Sequence, residues 1–136
     1  MSFWLSHHHA AQLNRCYHLF GVHLCARCLG TYPVLFAAFF AQFALHAPVH
    51  HPLDVVVGTA LVLPATLDWA YGQFRPHAFS NPWRTFTGTL LGLGLARSLF
   101  IHVQQPLPLV LLWQFALVTA VTFPVILMTY LRRSGR

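Results

Sequence analysis

The sequence contains neither lysine nor glutamate. Charged residues make up only 7% of its 136 positions, whereas about a quarter of an ordinary globular domain is charged. So few charges cannot cover a soluble domain, which excludes a water-soluble enzyme or binding module. Asp54 and Asp68 are the only acidic residues, and eight arginines bring the net charge to +6. The arginines are scattered between apolar runs and form no patch, so no nucleic-acid partner is expected. There is no nucleophile–base–oxyanion arrangement, no phosphate-binding glycine loop and no HExxH motif, leaving no ground for a hydrolase. Residues Met1 to Arg15 lack a positive n-region, a long apolar core and a small-residue cleavage site, which argues against a signal peptide. The run His7, His8, His9 is short for a purification tag and lacks a linker, so it reads as native.

What is present is apolar: 57% hydrophobic and 15% aromatic. About 20 mostly apolar residues cross a bilayer as a helix. Four segments qualify, Leu29 to Ala47, Leu53 to Tyr71, Trp83 to Val103 and Leu107 to Leu131. The expected fold is therefore an all-α integral membrane protein, with four transmembrane helices over 29–131. A short Cys/His segment at 1–28 precedes them, and a basic tail at 132–136 follows. The short connections carry Pro48, Pro52, Pro76, Pro82, Pro106 and Pro108, as expected of a residue that cannot continue a preceding helix. Arg15, Arg27, Arg75, Arg84, Arg132, Arg133 and Arg136 all fall on one side of such a hairpin arrangement. The first and third connections carry none. The positive-inside rule then places both termini and the second connection in the cytoplasm.

Charge within a span is costly and usually faces a partner. Arg97 lies thirteen residues into the third span, roughly 20 Å along its axis, which brings it level with Asp54. Arg84, at the start of that span, lies level with Asp68. Two interhelical pairs are expected, Asp54–Arg97 and Asp68–Arg84. Gly88 and Gly92, extended by Gly94, form a small-residue face suited to close helix packing, within the chain or between two copies. Trp4, Trp69, Trp83, Trp113, Tyr32, Tyr71 and Tyr130 sit mainly near span ends and read as interface anchors.

All three cysteines lie in the pattern Cys16-x-His18-x6-Cys25-x-x-Cys28, directly ahead of the first span. Zinc favours four Cys and His ligands, and CxxC is its commonest half-site. Cys16 and His18 point the same way if that segment is extended. The connection Leu19 to Leu24 contains Gly21 and is long enough to fold back. Cys16, His18, Cys25 and Cys28 are thus candidate ligands for zinc or another soft metal, with His23 or His7–His9 as substitutes for His18. Cytoplasmic thiols stay reduced, which disfavours a structural disulfide. Arg27, inside the CxxC, would favour a thiolate, so a thiol–disulfide oxidoreductase using Cys25 and Cys28 is an alternative. The histidines His46, His50, His51 and His102 gather at the opposite end and read as polar interfacial residues.

Two blocks carry a resemblance. The first is Cys16 with His18, then Cys25-Ala26-Arg27-Cys28, Gly30 and Tyr32. The second is Pro64-x-x-x-Asp68-x4-Gln73 followed by Ser80-Asn81-x-x-Arg84-x-x-Thr87-Gly88-x3-Gly92. Over about residues 14 to 96 the chain resembles a widespread prokaryotic family of small predicted membrane proteins of unknown function. The resemblance implies a cytoplasmic-membrane location, and it groups Asp68, Gln73, Ser80, Asn81, Arg84 and Thr87. With Arg27 these would line a polar cavity beside the cysteines, forming one composite site. The expected function is a multi-pass membrane protein with a cytoplasmic-face metal site next to that cavity. A thiol oxidoreductase, or a metal or small-solute transport or relay protein, is the alternative.

Overall fold

The computed structural model describes residues 14–19, 21–75 and 78–134, and of Arg133 only the backbone. The expectations for Trp4, His7–His9, Pro76 and Arg136 lie outside the described residues. The chain runs β1 (Cys16–Leu19), β2 (Val22–Cys25), α1 (Ala26–Ala44), α2 (Asp54–Phe74), α3 (Asn81–Gln104) and α4 (Leu109–Ser134). The expectation of an all-α chain needs correction, because β1 and β2 pair as an antiparallel hairpin. Gly21 makes the reversal at φ 78°, a left-handed value that glycine adopts without steric cost.

Three of the helices, α2, α3 and α4, are long and apolar enough to cross a membrane. Helix α1 is 19 residues long and starts at Ala26, so Arg27 and Cys28 belong to its first turn. Prolines also occur inside helices: Pro33 in α1, Pro64 in α2 and Pro124 in α4. Pro82 occupies the first turn of α3 behind the cap Ser80, a place where its missing N–H has no intrahelical partner anyway.

Helix α3 is central, with α1 along one side and α2 along another, and α4 packs mainly on α2. The α1–α3 contact is backbone against backbone. A Cβ on Gly88 would collide with the Arg27 carbonyl, one on Gly92 with the Thr31 carbonyl, and one on Gly30 with the Thr85 carbonyl. Thr31 Oγ1 spans the same seam, 2.9 Å from the Arg27 carbonyl and 3.1 Å from that of Gly88. The Gly88–Gly92 face is thus covered by α1 of the same chain, and Gly94 lies against α2.

A buried polar knot ties α2, α3 and α4 together. Gln114 Nε2 donates to the Gly58 carbonyl (3.0 Å), and Ser98 Oγ donates to Gln114 Oε1 (2.7 Å). Nothing in the spacing of the sequence singled out Gln114, although an amide in an apolar span always needs partners.

At the end of the bundle where α2 begins, the Arg97 guanidinium grips Asp54 with two bonds, Nε to Oδ1 at 2.8 Å and Nη2 to Oδ2 at 2.9 Å. It also donates to the Pro48 carbonyl (2.8 Å) and to Gln42 Oε1 (3.3 Å), and it stacks over Phe100. One side chain thereby joins α1, the α1–α2 connection, α2 and α3. Asp54 Oδ2 accepts a further bond from the His51 amide. The Nδ1 atoms of His51 and His102 accept from the Leu53 and Leu107 amides, so both rings serve local turns.

Gly88→Val should lower stability by about 1–3 kcal/mol or more, because the added methyls meet backbone rather than a movable side chain. Thermal unfolding in detergent measures this, and wild-type stability would refute the intimate α1–α3 seam. Arg97→Met should cost on the order of 3 kcal/mol, the range for stripping one partner from a buried pair, reduced here by partial exposure. Asp54→Asn in the same chain should cost much less than it does alone. Strict additivity of the two changes would show that the pair is not energetically coupled.

Candidate functional site

The hairpin register sets the cysteine geometry. Cys16 lies opposite Cys25 and His18 opposite His23. Residues two apart on a strand share a face, so both cysteines and both histidines project from one side of the hairpin. Cys16 and Cys25 are buried at its base. The two imidazoles stand one rung further out in an edge-to-face contact, with centroids 4.9 Å apart. Cys28, in the first turn of α1, lies within hydrogen-bonding reach of Cys25, and both Cys16 and Arg27 lie within electrostatic reach of its thiol. None of the three cysteines forms a disulfide. Among the described residues, no three His, Cys or Asp side chains are set as a closed metal-ligand group.

The hairpin and the residues that flank it are held on the helices by polar contacts. Asn81 Nδ2 donates to the Cys16 carbonyl at 3.2 Å. Thr85 Oγ1 lies 3.3 Å from the Tyr17 hydroxyl and 3.0 Å from the Ala26 carbonyl. Arg15, immediately before β1, reaches across to donate Nη2 to the Gly72 carbonyl at 2.9 Å. The thiols therefore sit against the junction where α1 begins, α2 ends and α3 begins.

Beneath them is a cluster of charge. Asp68 is paired with Arg27, through Oδ2 and Nη2. The sequence reading had matched Asp68 with Arg84. The glycine seam decides otherwise, because it draws the first turn of α1 against α3 and delivers Arg27 to the carboxylate first. Arg84 donates Nε to the Phe79 carbonyl at 3.4 Å. It stays within electrostatic reach of Asp68, Arg15 and Arg27. Two of these guanidiniums meet at Gly72: a Cβ there would lie in ordinary contact with both, 3.9 Å from Arg15 Nη2 and 4.0 Å from Arg84 Nη2. Arg15, Arg84 and Asp68 are 8%, 5% and 3% exposed. Arg15 Nε, Arg27 Nε and Asp68 Oδ1 are buried without a hydrogen-bond partner among the described residues.

The remaining residues expected in the cavity separate by role. Asn81 holds the hairpin. Ser80 caps α3, its Oγ accepting from the Trp83 amide at 3.4 Å. Thr87 is fully buried and bonds to the Arg84 carbonyl of its own helix (3.2 Å). Gln73 is exposed. Of the seven, Arg27, Asp68 and Arg84 come together, and the structure adds Arg15, Tyr17, Thr85 and Gly72. Arg15 was visible in the sequence only as an orientation signal. Its neighbour Cys16 was the one cue to a site role.

A family model described as Predicted membrane protein (DUF2085) matches residues 7–99. That stretch contains the hairpin, the thiols and the whole arginine–aspartate cluster, and it stops short of α4. No curated protein and no solved structure matches the chain.

Asn81→Ala removes the bond to the Cys16 carbonyl and should loosen the base of the hairpin. Maleimide labelling of Cys16, mapped by mass spectrometry, should accelerate about fivefold, the effect of one neutral hydrogen bond. An unchanged rate would mean that Asn81 does not hold the hairpin shut.

Proposed function

The chain belongs to the family of predicted membrane proteins whose model it matches, and from that premise we propose a four-span membrane protein carrying a soft-metal site on its cytoplasmic face. In this reading zinc is bound by Cys16, Cys25 and Cys28, with His18 or His23 as the fourth ligand, beside the arginine–aspartate cluster. Helix α1 would be the fourth span. Its outward face supports this, since Tyr32, Phe36 and Phe40 are all more than half exposed and suit lipid better than water. The one-sided arginines support cytoplasmic termini, with the protein in the prokaryotic inner membrane.

The observation that carries the metal reading is the convergence of three thiols: Cys16 across from Cys25, and Cys25 within hydrogen-bonding reach of Cys28. The Cys25 contact and burial hold the Cys28 thiol neutral, and the Arg27 guanidinium acts against them toward the thiolate that binds metal. Closing the ligand set requires Cys28 and one imidazole to turn toward the Cys16–Cys25 pair. Bound metal would then staple the hairpin to the start of α1, a structural role, and order the wall of the polar site beneath it.

The Cys25–Cys28 contact favours one second reading, a dithiol that passes two electrons and two protons to a partner disulfide and itself becomes a disulfide.

Metal content by inductively coupled plasma mass spectrometry, on detergent-purified wild type and Cys25→Ser, separates the two. About one zinc per chain in the wild type, lost together with stability in the variant, is the expected result. Metal-free protein with full stability, whose thiols reoxidise to a Cys25–Cys28 disulfide, would replace the zinc site with the redox pair.

A further inference from the structure

Three guanidiniums, from Arg15, Arg27 and Arg84, gather beside one carboxylate, that of Asp68, which is paired with Arg27. Arginine thus exceeds carboxylate by two among the described side chains of the cluster, in a region where Arg15, Arg84 and Asp68 are each over nine-tenths buried. Like charges held together out of water are strongly unfavourable unless countercharge is supplied. The thiols do not supply enough: zinc with three thiolates and a neutral imidazole carries one negative charge, so positive charge remains even with that site filled. The end of the bundle where α2 begins shows the contrast, since the single arginine there meets a carboxylate, a carbonyl and an amide oxygen. At the thiol end Arg15 Nε and Arg27 Nε are buried donors with no acceptor among the described residues. Arg27 keeps 20% of its side chain exposed, which leaves an approach from the surface.

An apolar groove of ≈ 570 Å³ adjoins the cluster. Leu63, Leu67, Tyr71, Phe79 and Trp83 line it, and Asp68 forms part of its wall. Tyr71 and Trp83 are 45% and 44% exposed, so the groove opens sideways, where lipid would lie.

From the buried excess of arginine and this adjoining groove, we infer that the cluster binds a phosphate-class oxyanion carried on a lipid. The phosphate oxygens are held by Arg15, Arg27 and Arg84, and an acyl chain lies along the groove. Guanidinium suits this task because its fork of donors matches phosphate geometry. Asp68 orients Arg27 and also repels the incoming anion, which gives the site a distinctive signature: neutralising the aspartate strengthens anion binding, whereas neutralising an arginine weakens it. The inference rests on the reading of the chain as bilayer-embedded and is independent of the zinc.

The test uses the full chain in phosphatidylcholine nanodiscs, as wild type, Arg15→Gln, Arg84→Gln, Arg84→Lys and Asp68→Asn. Thermal unfolding midpoints are followed against added phosphatidic acid and, separately, inorganic phosphate. Phosphatidic acid should protect the wild type. The half-saturating fraction should rise about tenfold or more in the two glutamine variants, the loss of one charge-assisted bond. It should rise less in Arg84→Lys and fall in Asp68→Asn. An equal response in all five proteins would reduce the effect to general surface charge and overturn the site. Loss of protection in Asp68→Asn as well would make the cluster a structural unit only. Protection by inorganic phosphate but not by phosphatidic acid would overturn the lipid-borne source. If the variants fail to fold, absence of protection of the wild type by either probe still overturns the proposal. Zinc content of the same preparations should match the wild type in both glutamine variants; metal lost along with anion protection would make these arginines supports of the thiol site and overturn their role as anion ligands.

Discussion

The approach of α1 to α3 is the constraint on which the thiol end of the molecule depends. Two helices meet there with backbone touching backbone, which only Gly30, Gly88 and Gly92 allow. In a bilayer no hydrophobic force would draw two such helices together, so close packing and interhelical hydrogen bonds would have to hold the contact. Thr31 adds one such bond across the seam. The consequences reach well beyond packing. Cys25 is the residue immediately before α1, so the docking of α1 also sets the docking of the hairpin. The same seam carries Arg27 to Asp68, and Asn81 and Thr85 on α3 then meet Cys16 and Tyr17 on the hairpin.

The two ends of the bundle handle charge in opposite ways. At the end where α2 begins one arginine and one aspartate form a bidentate pair, and the other guanidinium donors meet a carbonyl and an amide. That arrangement is complete in itself and serves to join four parts of the chain. At the thiol end arginines outnumber carboxylates three to one, and two buried N–H groups lack acceptors among the described residues. A membrane protein built only for stability would not retain such an excess, because each buried charge must recover its lost hydration from a partner. The imbalance distinguishes this end from the one where α2 begins, and it is what the proposed anion would answer.

The thiols and the arginines belong to one construction. Arg15 precedes Cys16, Arg27 lies between Cys25 and Cys28, and Arg84 lies within electrostatic reach of Cys25. Positive charge from Arg27 partly offsets the burial and the Cys25 contact that keep Cys28 a neutral thiol. A metal–thiolate unit is itself anionic and would soften, without cancelling, the excess below it. An oxyanion at the arginines and a metal at the hairpin are therefore compatible occupants of adjacent layers.

How much of this was legible before the fold was known follows from the range of each interaction. The paucity of charge and the four apolar stretches disclosed a membrane protein, since a helix span is a local property of about 20 residues. Cys16 and His18 on one strand face followed from their spacing, and the return at Gly21 from its freedom at positive φ. The level of Asp54 with Arg97 could be counted along two antiparallel helices. Counting failed for Asp68, because two arginines were within range and only the packing of a third helix chose Arg27. It also missed Arg15, whose partner Gly72 is 57 residues away, and Gln114, which bonds to Gly58 at a separation of 56. Sequence by itself determined which segments are apolar, where the chain turns and which residue types are at hand. Which charges share a neighbourhood was decided by the tertiary structure alone, because that depends on how closely α1 can lie on α3.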